Sequence, residues 1–335
     1  MTRCFGRNAF PYRRGVLIAC FLGLWLASAS DAQQPARLRQ IGVILVGLSP
    51  ESPEAAAFRQ GIQEAGYVES RDVQIEWRAA KGDYARTPEL AADLVQRKVD
   101  VIVVESTPAA LAAKRATSTI PIVMTVVSDP VGSGLVESLA RPGGNVTGLT
   151  NQTVDLAAKR LQLLKEVMPW AKHVAVLFNL DTPPNQVMIS RLKNAAPGLG
   201  LELKEIGVRK PEELRAAFKA LNRSNADALF IVDDAFMFVH GDEVLQMGMK
   251  ARLPIVFANT ALARKGVLLS YAVSHPALLR RAAGYVDKIF RGAKPGDLPV
   301  EQPTTFEFVI NLKSAKQLGV VVPPSILQRA DEVIQ

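Results

Sequence analysis

The run Val101-Ile102-Val103-Val104, followed within two residues by Ser106-Thr107-Pro108, decides the fold class. Four consecutive apolar, branched side chains leave no polar face, which is the pattern of a parallel strand buried on both sides. Ser and Thr just ahead of a proline open a helix. A hydroxyl accepts from an early backbone N–H, and proline is tolerated in a first turn that needs no donor from it. A buried strand feeding straight into a helix is one βα unit.

The same unit recurs in both directions. Upstream, residues 41–46 read as a buried strand ending at Gly47-Leu48-Ser49-Pro50, and residues 53–65 as an amphipathic helix stopped by Gly66. Residues 73–77 form the next strand, and Thr87-Pro88 opens a helix with Thr87 as N-cap. Downstream, residues 120–127 are a strand, and Ser128-Asp129-Pro130 starts a helix through Leu139 with Asp129 as its cap. The breaker cluster Arg141-Pro142-Gly143-Gly144-Asn145 is a candidate crossing between lobes. The alternation then restarts, with strands at 173–178, 201–208, 228–232, 254–258 and 267–271 and helices between them. A long helix over 276–290 follows, then an extended stretch over 304–310, a short helix over 312–318 and a last helix near Pro324. Two series of βα units predict an α/β protein of two lobes, each a doubly wound parallel sheet with right-handed crossovers. Ligands of such sheets bind beyond the carboxyl ends of the strands, so two facing lobes put the site in the cleft between them.

The chain has 335 residues, 48% hydrophobic and 21% charged, an ordinary globular balance with room for two cores. Its first residues read as an export signal. Arg3, Arg7, Arg13 and Arg14 precede an apolar run over residues 16–29, shorter than the ~20 residues a membrane span needs, and Ser30-Asp31-Ala32 supplies small residues for cleavage after Ala32. The mature chain then starts at Gln33 and is expected in the periplasm. Leu17-Ile18-Ala19-Cys20 resembles a lipoprotein box but sits inside the apolar run, so the question of a lipid anchor stays open. Both cysteines, Cys4 and Cys20, fall in this segment, which leaves the rest without a disulfide, a thiolate metal site or a cysteine nucleophile. The net charge of +8 falls to about +5 once the segment's four arginines and one aspartate are removed. The remaining basic residues are dispersed, unlike those of a nucleic-acid binder.

One stretch carries a family resemblance: Ser128-Asp129-Pro130-Val131-Gly132-Ser133-Gly134-Leu135-Val136, with Leu139-Ala140-Arg141-Pro142-Gly143-Gly144-Asn145-Val146-Thr147-Gly148-Leu149. It resembles the ABC transporter substrate-binding family that includes tryptophan- and tyrosine-binding receptors. Lys159-Arg160-Leu161, Val174-Ala175-Val176-Leu177-Phe178-Asn179, Lys294-Pro295-Gly296-Asp297 and Asn311-Leu312-Lys313-Ser314-Ala315 agree. The resemblance covers essentially the whole chain after residue 32. It implies a type I periplasmic-binding-protein fold with three crossing strands as a hinge, the lobes being residues 38–148 plus 273–302 and 149–272 plus 303–335. It further implies a monomer that carries a small molecule to an ABC permease with its ATPase, without catalysis or cofactor. Asp233-Asp234-Ala235-Phe236-Met237-Phe238 departs from the more polar pattern expected after that strand, which keeps aromatic and other amphiphilic acids open beside amino acids.

Candidate binding residues lie at the strand ends. Ser106 and Thr107 stand at a helix N-terminus, where hydroxyls, unpaired N–H groups and the helix dipole suit a ligand carboxylate. Ser49 and Thr125 are further hydroxyl donors. Asp234, at the end of a buried strand beside Asp233, is suited to a ligand ammonium. Asn179 and Asp181 occupy the equivalent turn of the second series, and Tyr271 could pack on an apolar ligand. His173, His240 and His275 lack partners at metal-ligand spacing and read as structural or surface residues. Neither a G-x-x-x-x-G-K-[ST] loop nor a G-x-S-x-G elbow occurs, which disfavours a nucleotide-driven enzyme or a secreted hydrolase. A periplasmic sensing module for a signalling partner is the competing reading, since one fold serves both roles.

Overall fold

The computed structural model describes residues 37–219, 221 and 225–335. The export segment, its cleavage point after Ala32 and both cysteines lie outside the described residues. The first series runs β1 (Arg39–Leu45), α1 (Pro53–Glu64), β2 (Val73–Ala79), α2 (Thr87–Gln96), β3 (Val101–Val104), α3 (Thr107–Ala116), β4 (Ile122–Val127) and β5 (Val146–Thr150). Its strands form a parallel sheet in the order β2-β1-β3-β4-β5. The second series runs α4 (Thr153–Val167), β6 (His173–Asn179), α5 (Pro183–Ala195), β7 (Glu202–Val208), α6 (Pro211–Lys219), β8 (Ala228–Ile231), α7 (Ala235–Val239), α8 (Gly241–Lys250), β9 (Ile255–Phe257), α9 (Thr260–Lys265) and β10 (Leu269–Ala272). After α10 (His275–Phe290) come β11 (Glu307–Asn311), α11 (Leu312–Leu318), α12 (Pro324–Leu327) and β12 (Glu332–Ile334). The second sheet has the order β12-β11-β10-β9-β8-β6-β7, and β11 enters it antiparallel to β10.

The unbroken apolar strands have the cause the sequence suggested. Val101 and Val103 pack with Phe58 of α1 and with Leu279 and Val286 of α10, while Ile102 and Val104 pack on the other face with Leu94 of α2 and Ala113 of α3. Each sheet is therefore covered on both sides, the second by α4 and α5 on one face and α6 and α8 on the other. Helix α10 follows β10 of the second sheet in sequence but lies against α1, so closely that a Cβ on Gly61 would sit 2.5 Å from the Arg280 carbonyl oxygen. The chain thus passes between the sheets three times, at residues 151–152, 273–274 and 302–306. The first and third connections are adjacent, because Glu301 and Gly148 and Thr150 exchange backbone hydrogen bonds of 2.9 and 3.0 Å.

Three local expectations change. The Arg141–Asn145 cluster is no crossing: it leads into β5, a strand of the first sheet that the sequence reading missed because Gly148 interrupts it. That glycine sits at φ 130° so close to Met124 of β4 that a Cβ would clash with its carbonyl oxygen. No helix follows Pro130. Asp129 instead closes a turn by accepting from Gly132 N–H at 2.8 Å, and Gly134 at φ 70° continues the turns. Thr87 is the first helical residue, not the cap, and its hydroxyl donates back to the Tyr84 carbonyl at 2.9 Å. Among the described residues no helix is long and apolar enough to cross a membrane.

Candidate functional site

The carboxyl ends of β3 and β4 face those of β6 and β8 across a narrow, largely enclosed cleft. Its free space is about 30 Å³, room for about one water, so a larger solute needs the lobes further apart than they stand here. From the first lobe come Leu48, Glu105, Ser106, Thr107, Val126 and Ser128; from the second, Thr182, Asn185, Asp233, Asp234 and Phe238; and His275 stands at a crossing. Among the described residues no cluster of His, Cys, Asp and Glu has the makings of a metal site.

On the first-lobe side, Ser106 caps α3 from a left-handed backbone, φ 89°, its hydroxyl accepting from Ala109 N–H at 3.5 Å. A non-glycine residue held there costs free energy, and such strain concentrates at functional sites. The Thr107 hydroxyl accepts from Ser128 N–H at 3.3 Å, tying the start of α3 to the end of β4. One residue earlier, Glu105 is only 6% exposed, and one of its oxygens accepts from the N–H groups of Val46 and Gly47 at 2.7 and 2.9 Å. No cation pairs with it among the described residues, and burial raises its carboxyl above the ordinary range against the opposing pull of those two N–H groups.

On the opposite side two adjacent aspartates behave differently. Asp233 is held by Arg160, itself 1% exposed, at 2.7 Å, and by the Thr153 hydroxyl at 2.9 Å, while the same guanidinium donates to the Tyr271 carbonyl. Asp234 has no such cation. It caps α7 through Met237 N–H at 2.8 Å and accepts from Asn185 Nδ2 at 2.8 Å and the Thr182 hydroxyl at 3.0 Å. Half-buried at the cavity wall, its carboxyl is pushed up to about 6, by desolvation first, against those three donors. The apolar wall is Leu48, Val126 and Phe238, and Phe238 stacks on His275 at 5.0 Å. Burial lowers the His275 pKa and favours the neutral ring.

Of the residues singled out from sequence, the structure brings Ser106, Thr107 and Asp234 together. Ser49 is exposed on the loop after β1, where its hydroxyl accepts from Glu51 N–H. Thr125 is fully buried and bridges two strands by donating to the Val104 carbonyl at 3.1 Å. Asn179 stands one step behind the cavity: its carbonyl accepts from Asn185, which in turn holds Asp234. Asp181 is turned outward to Arg209 at 2.9 Å. Tyr271 lies flat on Phe306, 5.6 Å between ring centres, away from the cleft lining. Sequence reasoning passed over Glu105, Asn185 and His275. Glu105 carried a signal, since a lone charge ending a buried strand sits where ligands of parallel sheets bind.

Two doubly wound lobes, joined by three connections and facing each other across a polar, carboxylate-bearing cleft, define a solute-binding protein. A family model for ABC transporter substrate binding proteins matches residues 46–334, and the chain belongs to that family. It is 29% identical to the tyrosine-binding protein of Clostridioides difficile strain R20291, over 84% of this chain and 81% of that one. A Streptococcus pneumoniae ABC domain in complex with L-Trp superposes with a TM-score of 0.80 at 28% identity, covering 89% of this chain and all of that one. The ligand-free, open structure of a Clostridium difficile substrate binding protein with adhesive properties gives 0.64 at 27% identity, with 89% and 100% covered. At nearly equal identity, the chain superposes more closely on the L-Trp complex than on the open form.

Proposed function

We propose that the cleft binds an amino acid with an aromatic side chain, and that the chain delivers it, from the periplasmic side, to an ABC permease and its ATPase. The observation that carries this reading is the opposition of two unlike groups. An ionisable, cation-free Asp234 faces the hydroxyl-lined N-terminus of α3 across one cavity. A zwitterion satisfies both: its ammonium bonds Asp234, with Glu105 adding negative potential, and its carboxylate takes Ser106, Thr107 and backbone N–H groups. Each such charge-assisted bond contributes roughly 1.5–3 kcal/mol. Leu48, Val126 and the Phe238–His275 stack supply the apolar surface for a ring. The tyrosine and tryptophan named for the relatives agree with this choice. Catalysis is not part of the reading, because the family matched is one of substrate-binding proteins.

The test is a thermal-shift screen followed by titration calorimetry with L-tryptophan, L-tyrosine and L-phenylalanine, against aliphatic amino acids, aromatic acids without the amino group, and sugars. A ligand of the folded state raises the melting temperature by mass action. Binding confined to sugars or to the deaminated acids would overturn the assignment.

A further inference from the structure

We propose that Gly47 is the steric gate of lobe closure: the closed arrangement seats the start of α7 directly on this residue and admits no side chain there. A Cβ on Gly47 would lie 2.9 Å from Ala235 Cα, 3.0 Å from its Cβ and 3.1 Å from its carbonyl oxygen, and these are its three nearest atoms. The glycine is not demanded by its own backbone, because Gly47 is not among the residues with positive φ. What excludes a side chain is the other lobe.

Two neighbouring contacts mark the same seam. A Cβ on Gly82 would lie 3.2 Å from the Val239 side chain, and the Tyr84 hydroxyl accepts from Phe236 N–H at 3.3 Å. Tyr84 packs on the apolar cores of both lobes. The seam is also wired to the cleft. Glu105 holds the N–H groups of Val46 and Gly47 on one side, and Asp234 caps the helix that presents Ala235 and Phe236 on the other. A solute drawn to both carboxylates therefore pulls on the two backbone segments that must meet. The inference rests on the reading of a cleft that closes around a solute, but the gate itself is testable without one.

The chain from Gln33 onward has no cysteine. Paired substitutions Gly82→Cys and Val239→Cys place Cβ atoms 3.2 Å apart, just under the ~3.5–4.5 Å disulfide range, and report the closed seam; because Gly82 holds φ 82°, the Gly82→Cys single variant is the fold control. Under mild oxidation without solute, this pair is expected to cross-link, and Gly47→Val added to it is expected to slow cross-linking at least tenfold, with circular dichroism confirming the fold. Absence of a cross-link in the folded pair, or a rate unchanged by Gly47→Val, would overturn the gate. In the chain without added cysteines, L-tryptophan affinity is expected to fall in the order Gly47, Gly47→Ala, Gly47→Val, reaching a loss of tenfold or more. The scattering radius of the valine variant should then stay at its solute-free value. Equal affinities across this series would also count against the gate. If neither L-tryptophan nor L-tyrosine binds the unmodified chain, the ligand assignment fails, while the cross-linking rates still decide the gate.

Discussion

The two lobes meet the cleft with similar means and different chemistry. Strand β3 ends in Glu105-Ser106-Thr107, and β8 is followed by Asp233-Asp234. Both put carboxylates at a strand's carboxyl end just before a helix. In the first lobe the cap is a serine, and the carboxylate beside it braces the backbone of β1's end. In the second lobe the cap is itself the free carboxylate, and its neighbour is consumed by Arg160. One side therefore offers donors to an anion and the other an acceptor to a cation. The difference shows that the count of charges in a turn says little; which charge already has a partner says what the turn is left to bind.

That contrast can be broken most severely at its buried pair. Arg160→Leu leaves Asp233 buried without its cation, and loss of one partner of such a pair costs about 3–5 kcal/mol. Denaturant unfolding is expected to show this loss, and a change under 1 kcal/mol would mean that Asp233 needs no pairing. Asp234→Asn should do the reverse: the fold at pH 7.5 is kept or gains stability, while affinity for an aromatic amino acid falls roughly 10- to 150-fold, the equivalent of ~1.5–3 kcal/mol. Calorimetry on the variant checks this. On the donor side, Thr107→Val is expected to weaken binding about tenfold, since one charge-assisted hydroxyl bond is lost. The same substitution also removes the acceptor of Ser128 N–H, which should show as a separate loss of stability.

The smallest effect is that of pH, and its sign follows from Asp234. The folded, solute-free carboxyl is raised to about 6, so it takes up a proton below that value, and an ammonium binds only the ionised form. Affinity should fall roughly fourfold between pH 7.5 and 5.5. Asp234's own contribution to the stability of the solute-free protein should move the opposite way, against that of carboxyls such as Asp93 and Glu301, which their arginine partners hold below the usual range. A carboxyl raised above its unfolded value, ~3.9, favours the fold when protonated, and that contribution is lost as pH rises from about 4 to 6. The affinity trend should vanish in Asp234→Asn, and the stability difference between the two proteins should change between about pH 4 and 6; a persistent pH dependence of affinity would assign it to another group, Glu105 first.

Much of the fold was legible because burial on both faces writes itself as unbroken apolar runs such as residues 101–104. The elements that were missed broke that rule. Strand β5 has a glycine where it approaches β4, and the turn after Pro130 owes its shape to Asp129 and Gly134 rather than to a helix period. For the cleft lining, Ser106, Thr107 and Asp234 were readable because helix starts have a residue signature. Ser49, Thr125, Asn179, Asp181 and Tyr271 sit at comparable places in sequence, but side-chain direction decided their fate. Thr125 turns into the sheet and Asp181 toward Arg209. Pairing across long separations, such as Arg160 with Asp233, has no local signal at all.

The central claim is that Asp234 selects a solute with an ammonium group. It is tested most directly by titrating the protein and its Asp234→Asn variant with L-tryptophan and with the same molecule lacking its α-amino group. The account predicts that the wild type binds L-tryptophan at least tenfold more tightly than the deaminated acid, and that the preference disappears in the variant. Equal affinity of the wild type for the two compounds, or a preference that survives the substitution, would contradict it.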